Sequence, residues 1–393
     1  MRKIYLDHNA TTPLHYEVYS EMVPFLEKQF GNPGSIHWAG REARKAVEDA
    51  RDRVAQSLAS APEEIVFTSG GTEANNLAIF GVTDNSPDSK KHIITSAVEH
   101  SSVLNPIKLL ESRGFEVTYL GVDRYGMLKS EDVKKSLRED TLLISIMHAN
   151  NETGNIFPVE EIGQIARERG VIFHCDAVQS FGKLDVIPSR DNIDLLSISG
   201  HKIYGPKGCG CLYVRKGVGI LPVMFGGMQE KGLRPGTENV AGIAGFGKAC
   251  EIAIESRREL SVRCGKLEDE LLSGIFKSIQ NVCLNGHPSR RISGVLNISF
   301  EGVESESVLM NLDLAGIAVS AGSACSSGAV APSHVLIAMG LPQDLAESAV
   351  RFSIGMNNTS EEIKYVLDIL GDVIPRLRRI SPSYREAAAI KRG

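Results

Sequence analysis

The run Asp194-Leu195-Leu196-Ser197-Ile198-Ser199 leads into the turn Gly200-His201-Lys202-Ile203-Tyr204-Gly205-Pro206-Lys207-Gly208. An apolar strand that delivers a lysine amine into a small-residue turn suits a Schiff base with an aldehyde. The glycines and Ser199 offer backbone N–H and hydroxyl groups that can hydrogen-bond a phosphate. A cofactor carrying both an aldehyde and a phosphate, pyridoxal phosphate, matches that pair of demands. An ordinary solvated loop lysine would carry the same local sequence, so the companions of Lys202 decide.

Those companions follow other short apolar runs. Ser69-Gly70-Gly71-Thr72-Glu73-Ala74-Asn75-Asn76 steps into a helical pattern after Ile65-Val66-Phe67-Thr68, where N–H groups at a helix start and a threonine hydroxyl suit a phosphate. Glu99-His100 follows His92-Ile93-Ile94-Thr95, and Met147-His148-Ala149-Asn150-Asn151-Glu152 follows Leu142 to Ile146. Asp176-Ala177-Val178-Gln179 closes Val171-Ile172-Phe173-His174-Cys175. An aspartate at the end of a buried strand calls for a cation, which a pyridinium nitrogen supplies. Pieces of one cofactor site thus stand at the ends of five runs.

The elements that must position them alternate between β-rich runs, Phe115 to Tyr119 included, and helical spacing such as Thr72 to Phe80 or Val159 to Arg169. That alternation predicts an α/β fold with a mainly parallel, doubly covered sheet and ligands at its carboxyl edge. The charged helical tract Arg257 to Glu270 leads towards a second, smaller domain that recruits the first dozen or so residues. With 393 residues, 42% hydrophobic and 23% charged, the chain suits a large soluble domain plus a small one. The net charge of −5 and the lack of a basic block argue against nucleic-acid binding. No signal-peptide core precedes the first strand and no run is long enough to span a bilayer, which predicts a cytoplasmic protein without membrane contact.

Seven cysteines, an odd number with no Cys-x-x-Cys pair, indicate neither a disulfide framework nor a zinc ribbon. Cys175, Cys209 and Cys211 lie in apolar runs, the setting of small inert core residues. Cys325 differs: Ser320-Ala321-Gly322-Ser323-Ala324-Cys325-Ser326-Ser327-Gly328 holds nothing bulky to bury it. This predicts an exposed thiol on a mobile loop.

Taken in order along the chain, these segments resemble the NifS/IscS-type cysteine desulfurases. The resemblance also rests on Tyr5-Leu6-Asp7-His8-Asn9-Ala10-Thr11-Thr12, Gly31-Asn32-Pro33-Gly34-Ser35-Ile36-His37, Arg234-Pro235-Gly236-Thr237-Glu238-Asn239, Ser323-Ala324-Cys325 and Arg351-Phe352-Ser353. It implies an aminotransferase-like, fold type I pyridoxal-phosphate enzyme that acts as a homodimer. Residues 15–258 would form the large cofactor domain, and residues 1–14 with 259–393 the smaller α+β domain bearing Cys325. The implied reaction takes sulfur from L-cysteine, leaves L-alanine and forms a persulfide on Cys325. The sulfur then passes to an acceptor such as an iron–sulfur scaffold protein.

Residue by residue, the resemblance makes Lys202 the cofactor anchor and proton carrier, and Asp176 the partner of the ring nitrogen. His100 would stack on the ring and move a proton at the substrate sulfur, and Gln179 would bond the ring's phenolic oxygen. Gly71, Thr72, Ser199, Gly200 and His201 would line the phosphate site, with Thr237 reaching in from a second copy. Arg351 would clamp the substrate carboxylate beside Asn151. No intrinsic metal is implied, and Cys325 would touch an iron–sulfur cluster only in passing. Departures such as Pro235, Met228 and Met356-Asn357-Asn358 avoid these roles. The tail from Ser381-Pro382-Ser383-Tyr384 is similar to the end that scaffold partners use in the family. Selenocysteine lyase, aminotransferase and non-catalytic assembly-platform readings stay open. A nicotinamide-type oxidoreductase does not, because Ser69-Gly70-Gly71-Thr72 is not a Gly-x-Gly-x-x-Gly turn.

Overall fold

Strand side chains alternate between faces, and in the central runs both faces are apolar. Val66, Ile93, Leu143 and Leu195 join one core, while their neighbours Phe67, Ile94, Ile144 and Leu196 join another. These strands must therefore be covered twice. The computed structural model describes residues 3–87, 89–321 and 332–381. Cys325 and the tail beyond Ser381 lie outside the described residues.

After β1 (Ile4–Tyr5), strands β2 (Ile65–Thr68), β3 (His92–Ser96), β4 (Glu116–Leu120), β5 (Thr141–Ser145), β6 (Ile172–Asp176), β7 (Leu195–Ser199) and β8 (Gly210–Val214) form a sheet. The order is β2-β8-β7-β6-β5-β3-β4. Only β8 runs antiparallel to its neighbours, β2 and β7. The carboxyl ends of β2, β3, β5, β6 and β7 consequently open on one edge. The helices Gly71–Asp84 and Ser101–Ser112 cover one face through Leu77, Ile79, Val103 and Ile107. Val47 and Val54 of Trp38–Ser57, Ile162 of Val159–Arg169 and Phe246 of Val240–Ser278 pack on the other.

A second sheet holds β9 (Val282–Asn285) and β10 (Val295–Phe300), then, past β11 (Ile317–Ala318), β12 (Ala349–Ser353). Its order is β12-β10-β9, all antiparallel. The tract 257–270 lies within the single helix Val240–Ser278. That helix contributes Ala253 to the core of the first sheet and Cys264, Leu267 and Leu271 to the core of the second.

The N-terminal residues run between the two sheets. β1 pairs in parallel with β11, and Ile4 and Leu6 are buried in the second core. The Leu6 N–H donates to Ala318 O (2.9 Å), and Leu6 O accepts from Ser353 N (2.7 Å). Six residues on, the Thr12 N–H donates to His201 O (2.9 Å), and the His15 N–H donates to Tyr204 O (2.9 Å). The stretch carrying Asp7 and Asn9 is thereby pinned to the second sheet at one end and to the lysine turn at the other. No helix among the described residues is long and apolar enough to cross a membrane.

Leu6 is fully buried at the hinge of this attachment. Leu6→Ala is expected to lower the unfolding free energy by about 2–5 kcal/mol, the range for a truncated buried leucine. A guanidinium unfolding titration against the unsubstituted protein measures it, and an unchanged midpoint would contradict the anchoring role.

Candidate active site

At the end of β6 the buried carboxylate of Asp176 is held on both oxygens. Oδ1 accepts from the Val178 N–H (2.9 Å) and Oδ2 from Asn75 Nδ2 (2.7 Å). Asn75 stands one turn into the helix Gly71–Asp84, and its Nδ2 also donates to Ser102 Oγ (2.8 Å). Ser102 lies against His100: its N–H donates to Nδ1 (3.1 Å), with Oγ 2.7 Å from the same atom. An Nδ1 that accepts assigns the proton of the neutral ring to Nε2. Burial pushes the His100 pKa below the usual histidine value; the Asp176 charge opposes this, and the Lys202 and His334 charges add to it. His100 is therefore a neutral imidazole tied through two side chains to a carboxylate.

Beside this chain the β2 end turns into a helix that lacks a side-chain cap. Gly70 has φ +149°, a backbone that L side chains rarely adopt. A Cβ on Gly71 would come 2.6 Å from Val178 Cγ2, so the strand ends meet here only because the residue is glycine. Ser199 Oγ is buried without a hydrogen-bond partner and lies 3.6 Å from the place a Gly70 Cβ would occupy. Uncapped N–H groups, the helix dipole and an unsatisfied hydroxyl make a cradle for an anion. Thr72 is exposed at the mouth of this cradle. The Gly200 N–H donates to Cys209 O (2.9 Å), so Gly200 contributes small size rather than a donor. His201 Nδ1 lies 3.1 Å from Thr11 Oγ1, and burial followed by the Lys202 and Lys207 charges pushes its pKa down to about 4. Thr237 is exposed and shares no hydrogen bond with these residues.

The lysine turn meets the N-terminal stretch. Lys202 Nζ donates to Asn9 O (2.6 Å) and Ala10 O (2.7 Å), and Gln179 Nε2 donates to Asn9 O (2.8 Å). The Asn9 N–H donates to Ser353 Oγ (2.9 Å), and its Nδ2 donates to Asn151 O (3.1 Å). The same Asn151 carbonyl accepts from Arg351 Nη1 (3.0 Å), while Nη2 pairs with Asp7 Oδ1 (2.7 Å). Arg351 Nε is buried without a partner. Both described flanks of segment 322–331 border this cluster. On one side the Arg351 N–H donates to Ser320 O (2.7 Å). On the other, Ser333 Oγ donates to the Glu152 carboxylate and His334 Nε2 donates to Glu99 O (3.0 Å).

These groups fit pyridoxal phosphate. The cradle at Gly71 and Ser199 takes a phosphate, Asp176 suits a protonated ring nitrogen, and Lys202 brings an amine from the adjoining strand end. Two orphaned donors, Ser199 Oγ and Arg351 Nε, stand where a phosphate and a substrate carboxylate would satisfy them. The sequence reading did not single out Ser102 or Lys183, nor Asn75 and Asn9 individually. Asn75 carries a visible signal, a polar side chain on the otherwise apolar face of Ala74, Leu77 and Ala78.

Comparison with known proteins places the whole chain. The model of the family Aminotransferase class-V matches residues 4–366. The chain is 52% identical over 385 residues to a protein named cysteine desulfurase IscS from Dictyoglomus turgidum, covering 98% of each chain. A protein of the same name from Methanosarcina thermophila is 47% identical, with 97% of this chain and 94% of that one covered. Among solved structures, a NifS-like protein superposes with a TM-score of 0.90 at 38% identity, covering 96% of this chain and all of that one. A structure described as SspA in complex with cysteine gives 0.81 at 39% identity, covering 90% of this chain and 99% of that one. The chain belongs to the aminotransferase class-V family, within its cysteine desulfurases.

Proposed function

We propose that this chain is a pyridoxal-phosphate-dependent cysteine desulfurase that converts L-cysteine to L-alanine and delivers the sulfur as a persulfide on Cys325. The hydrogen-bonded chain Asp176–Asn75–Ser102–His100, beside an uncapped helix start and the lysine turn, carries the reading. When bound, the cofactor supplies an aldehyde for amines and a protonated ring that draws electron density from the substrate Cα. Asp176 would hold the proton on the ring nitrogen. Gln179 would donate to the phenolic oxygen, and Gly71, Thr72, Ser199, Gly200 and His201 would surround the phosphate. Lys202 would hold the aldehyde through its amine and, when free of it, would carry a proton to or from the substrate Cα. Arg351, steadied by Asp7 and Asn151, binds the substrate carboxylate.

His100, neutral with its proton assigned to Nε2, exchanges a proton with the substrate sulfur. The Cys325 thiolate attacks that sulfur: an S–S bond forms and the Cβ–S bond breaks. The electron pair of the broken bond stays on the carbon side, which is protonated to become the methyl group of alanine. The two thiols together thus yield alanine and a persulfide without an external oxidant.

We infer a homodimer in a cytoplasmic setting, with an iron–sulfur scaffold protein as sulfur acceptor. Large side chains exposed on two stretches, Tyr16, Phe30, Ile36 and Trp38 on one and Phe225 and Met228 on the other, support a covered face. An exposed Thr237 reaching the site of a second copy fits the same arrangement. Sedimentation is expected at twice the 42.6 kDa chain mass.

A single turnover of cofactor-loaded protein with L-cysteine tests the reaction. Alanine and protein-bound sulfane sulfur should form together, and added scaffold protein should take up the sulfur. Cys325→Ala should lose the bound sulfur, whereas absence of both products from the unsubstituted protein would overturn the reading.

Glu99 sets the charge beneath this site. Both its oxygens accept from the Met147 N–H (3.0 Å each) and Oε1 accepts from Ser96 Oγ (2.6 Å). Burial, reinforced by the Asp176 charge, outweighs these donors and pushes its carboxyl up to about 8. The folded state therefore keeps a proton that the unfolded chain loses above its ordinary pKa. Stability falls as pH rises from about 4.5 to 8, by roughly 4 kcal/mol in total. Glu99→Gln should flatten that fall, read as the unfolding midpoint at pH 5 and pH 8; an equal fall in both proteins would contradict it.

A further inference from the structure

One half-buried cation has no part in that reaction. Lys183 follows Gln179 by four residues, in the turn after β6. Its Nζ donates to Gln179 Oε1 (3.1 Å) and to Asn9 Oδ1 (3.1 Å). The turn is fixed by its own backbone: the Lys183 and Leu184 N–H groups both donate to Ser180 O (2.9 and 2.8 Å). Gly182 adopts φ +75°, and a Cβ there would come 2.9 Å from Ala253 Cβ of the long helix.

No carboxylate is among the charges that act on Lys183. Burial, then the Lys202 and Arg351 charges, push its pKa down to about 7, with only Cys264 opposing. Its own charge in turn helps to lower His8 to about 4. With Lys202, His8 and Cys264 it lines a cleft against the long helix. An ammonium held here without an acid costs stability, so its hydrogen bonds must matter.

Both bonds fall on amide oxygens. Asn9 O can only accept, so Gln179 turns Nε2 towards it and Oε1 towards Lys183, whose Nζ donates there. One Nε2 hydrogen goes to Asn9 O (2.8 Å), which leaves the second for a ligand. The same ammonium orients Asn9, whose Nδ2 then meets Asn151 O (3.1 Å), the carbonyl that also steadies Arg351. A charged donor on the amide oxygen polarises the amide and makes its N–H a stronger donor.

We propose that Lys183 is a positioning residue: by donating to Gln179 and Asn9 it fixes Gln179 Nε2 as the donor offered to the cofactor's ring oxygen and sets the Asn9–Asn151 link to Arg351. The inference rests on the cofactor site proposed above. Lys183 touches neither cofactor nor substrate, and acts through Gln179.

The test is a double-substitution cycle of Lys183→Met and Gln179→Ala, read by the dissociation constant of pyridoxal phosphate and by the pH midpoint of the bound cofactor's absorbance. Lys183→Met should weaken cofactor binding about ten- to a hundredfold, the range for a lost hydrogen bond to a charged group, and should shift the absorbance midpoint. On the Gln179→Ala background it should change binding by less than about twofold, and Lys183→Arg should restore part of the loss. Lys183→Met binding within about twofold of the unsubstituted protein with an unmoved midpoint would overturn the proposal. So would equal losses on both backgrounds, or a loss of cofactor-free stability without any spectral change. If Lys183→Met does not fold, Lys183→Gln is judged by the same criteria. Failure of the unsubstituted protein to bind pyridoxal phosphate would sink the site reading itself, and is distinguishable from all of these.

Discussion

A carboxylate at the end of a central parallel strand must be satisfied on all sides, and Asp176 is the residue around which the site is ordered. Its two oxygens take the Val178 N–H and the Asn75 amide, and no lysine or arginine pairs with it among the described residues. The negative charge stays available to a cation arriving from outside the chain. Asn75 extends the same network to Ser102 and so decides which nitrogen of His100 accepts. Because Asn75 and Gly71 share one helix, the anion cradle and the carboxylate network are set by one rigid element. A shift of that helix would move the anion cradle and the Asp176 network together.

The N-terminal stretch has an effect out of proportion to its length. Asn9 uses its N–H, its carbonyl and both ends of its amide to join Ser353, Lys202, Gln179, Lys183 and Asn151. The two sheets have separate cores, so this polar junction and the shared helix Val240–Ser278 fix Arg351 of one against Lys202 of the other. Leu6 and Ile4 provide the apolar anchorage, and the buried polar links provide the register.

The strands β2 to β7 of the large sheet were legible because short apolar runs leave little choice, and the expected runs fall within one residue of the observed ones. The strands of the second sheet were not singled out. The first half of Val240–Ser278 was not legible as helix. Gly242, Gly245 and Gly247 weaken its local signal. The structure gives the reason at two of them: a Cβ would come 2.6 Å from Met22 Cγ at Gly245 and 2.8 Å from Ala50 Cα at Gly247. Close helix packing, a tertiary demand, overrides propensity there. The chemistry at the strand ends was readable because lysine, aspartate and histidine stand where a parallel sheet opens. The residues that orient them were not, since Asn75 meets Asp176 across 101 positions and Asn9 meets Lys183 across 174.

The charge balance of the site argues for what it binds. The histidines near it, His8, His100, His148, His174 and His201, are all lowered chiefly by burial, which favours their neutral forms. Glu99 and Glu152 are raised by the same cause, which favours theirs. What remains is Lys202, Arg351, a partly charged Lys183 and an uncapped helix start against Asp176 and Asp7. A half-buried excess of positive charge is costly to keep empty. A ligand that brings a phosphate to one end and a carboxylate to the other relieves it, whereas a neutral sugar or an apolar ligand does not. A cationic group beside Asp176 would balance that carboxylate too. A phosphorylated pyridine together with an amino acid fits all three conditions, which is why the proposed cofactor and substrate suit this charge pattern better as a pair than either does alone.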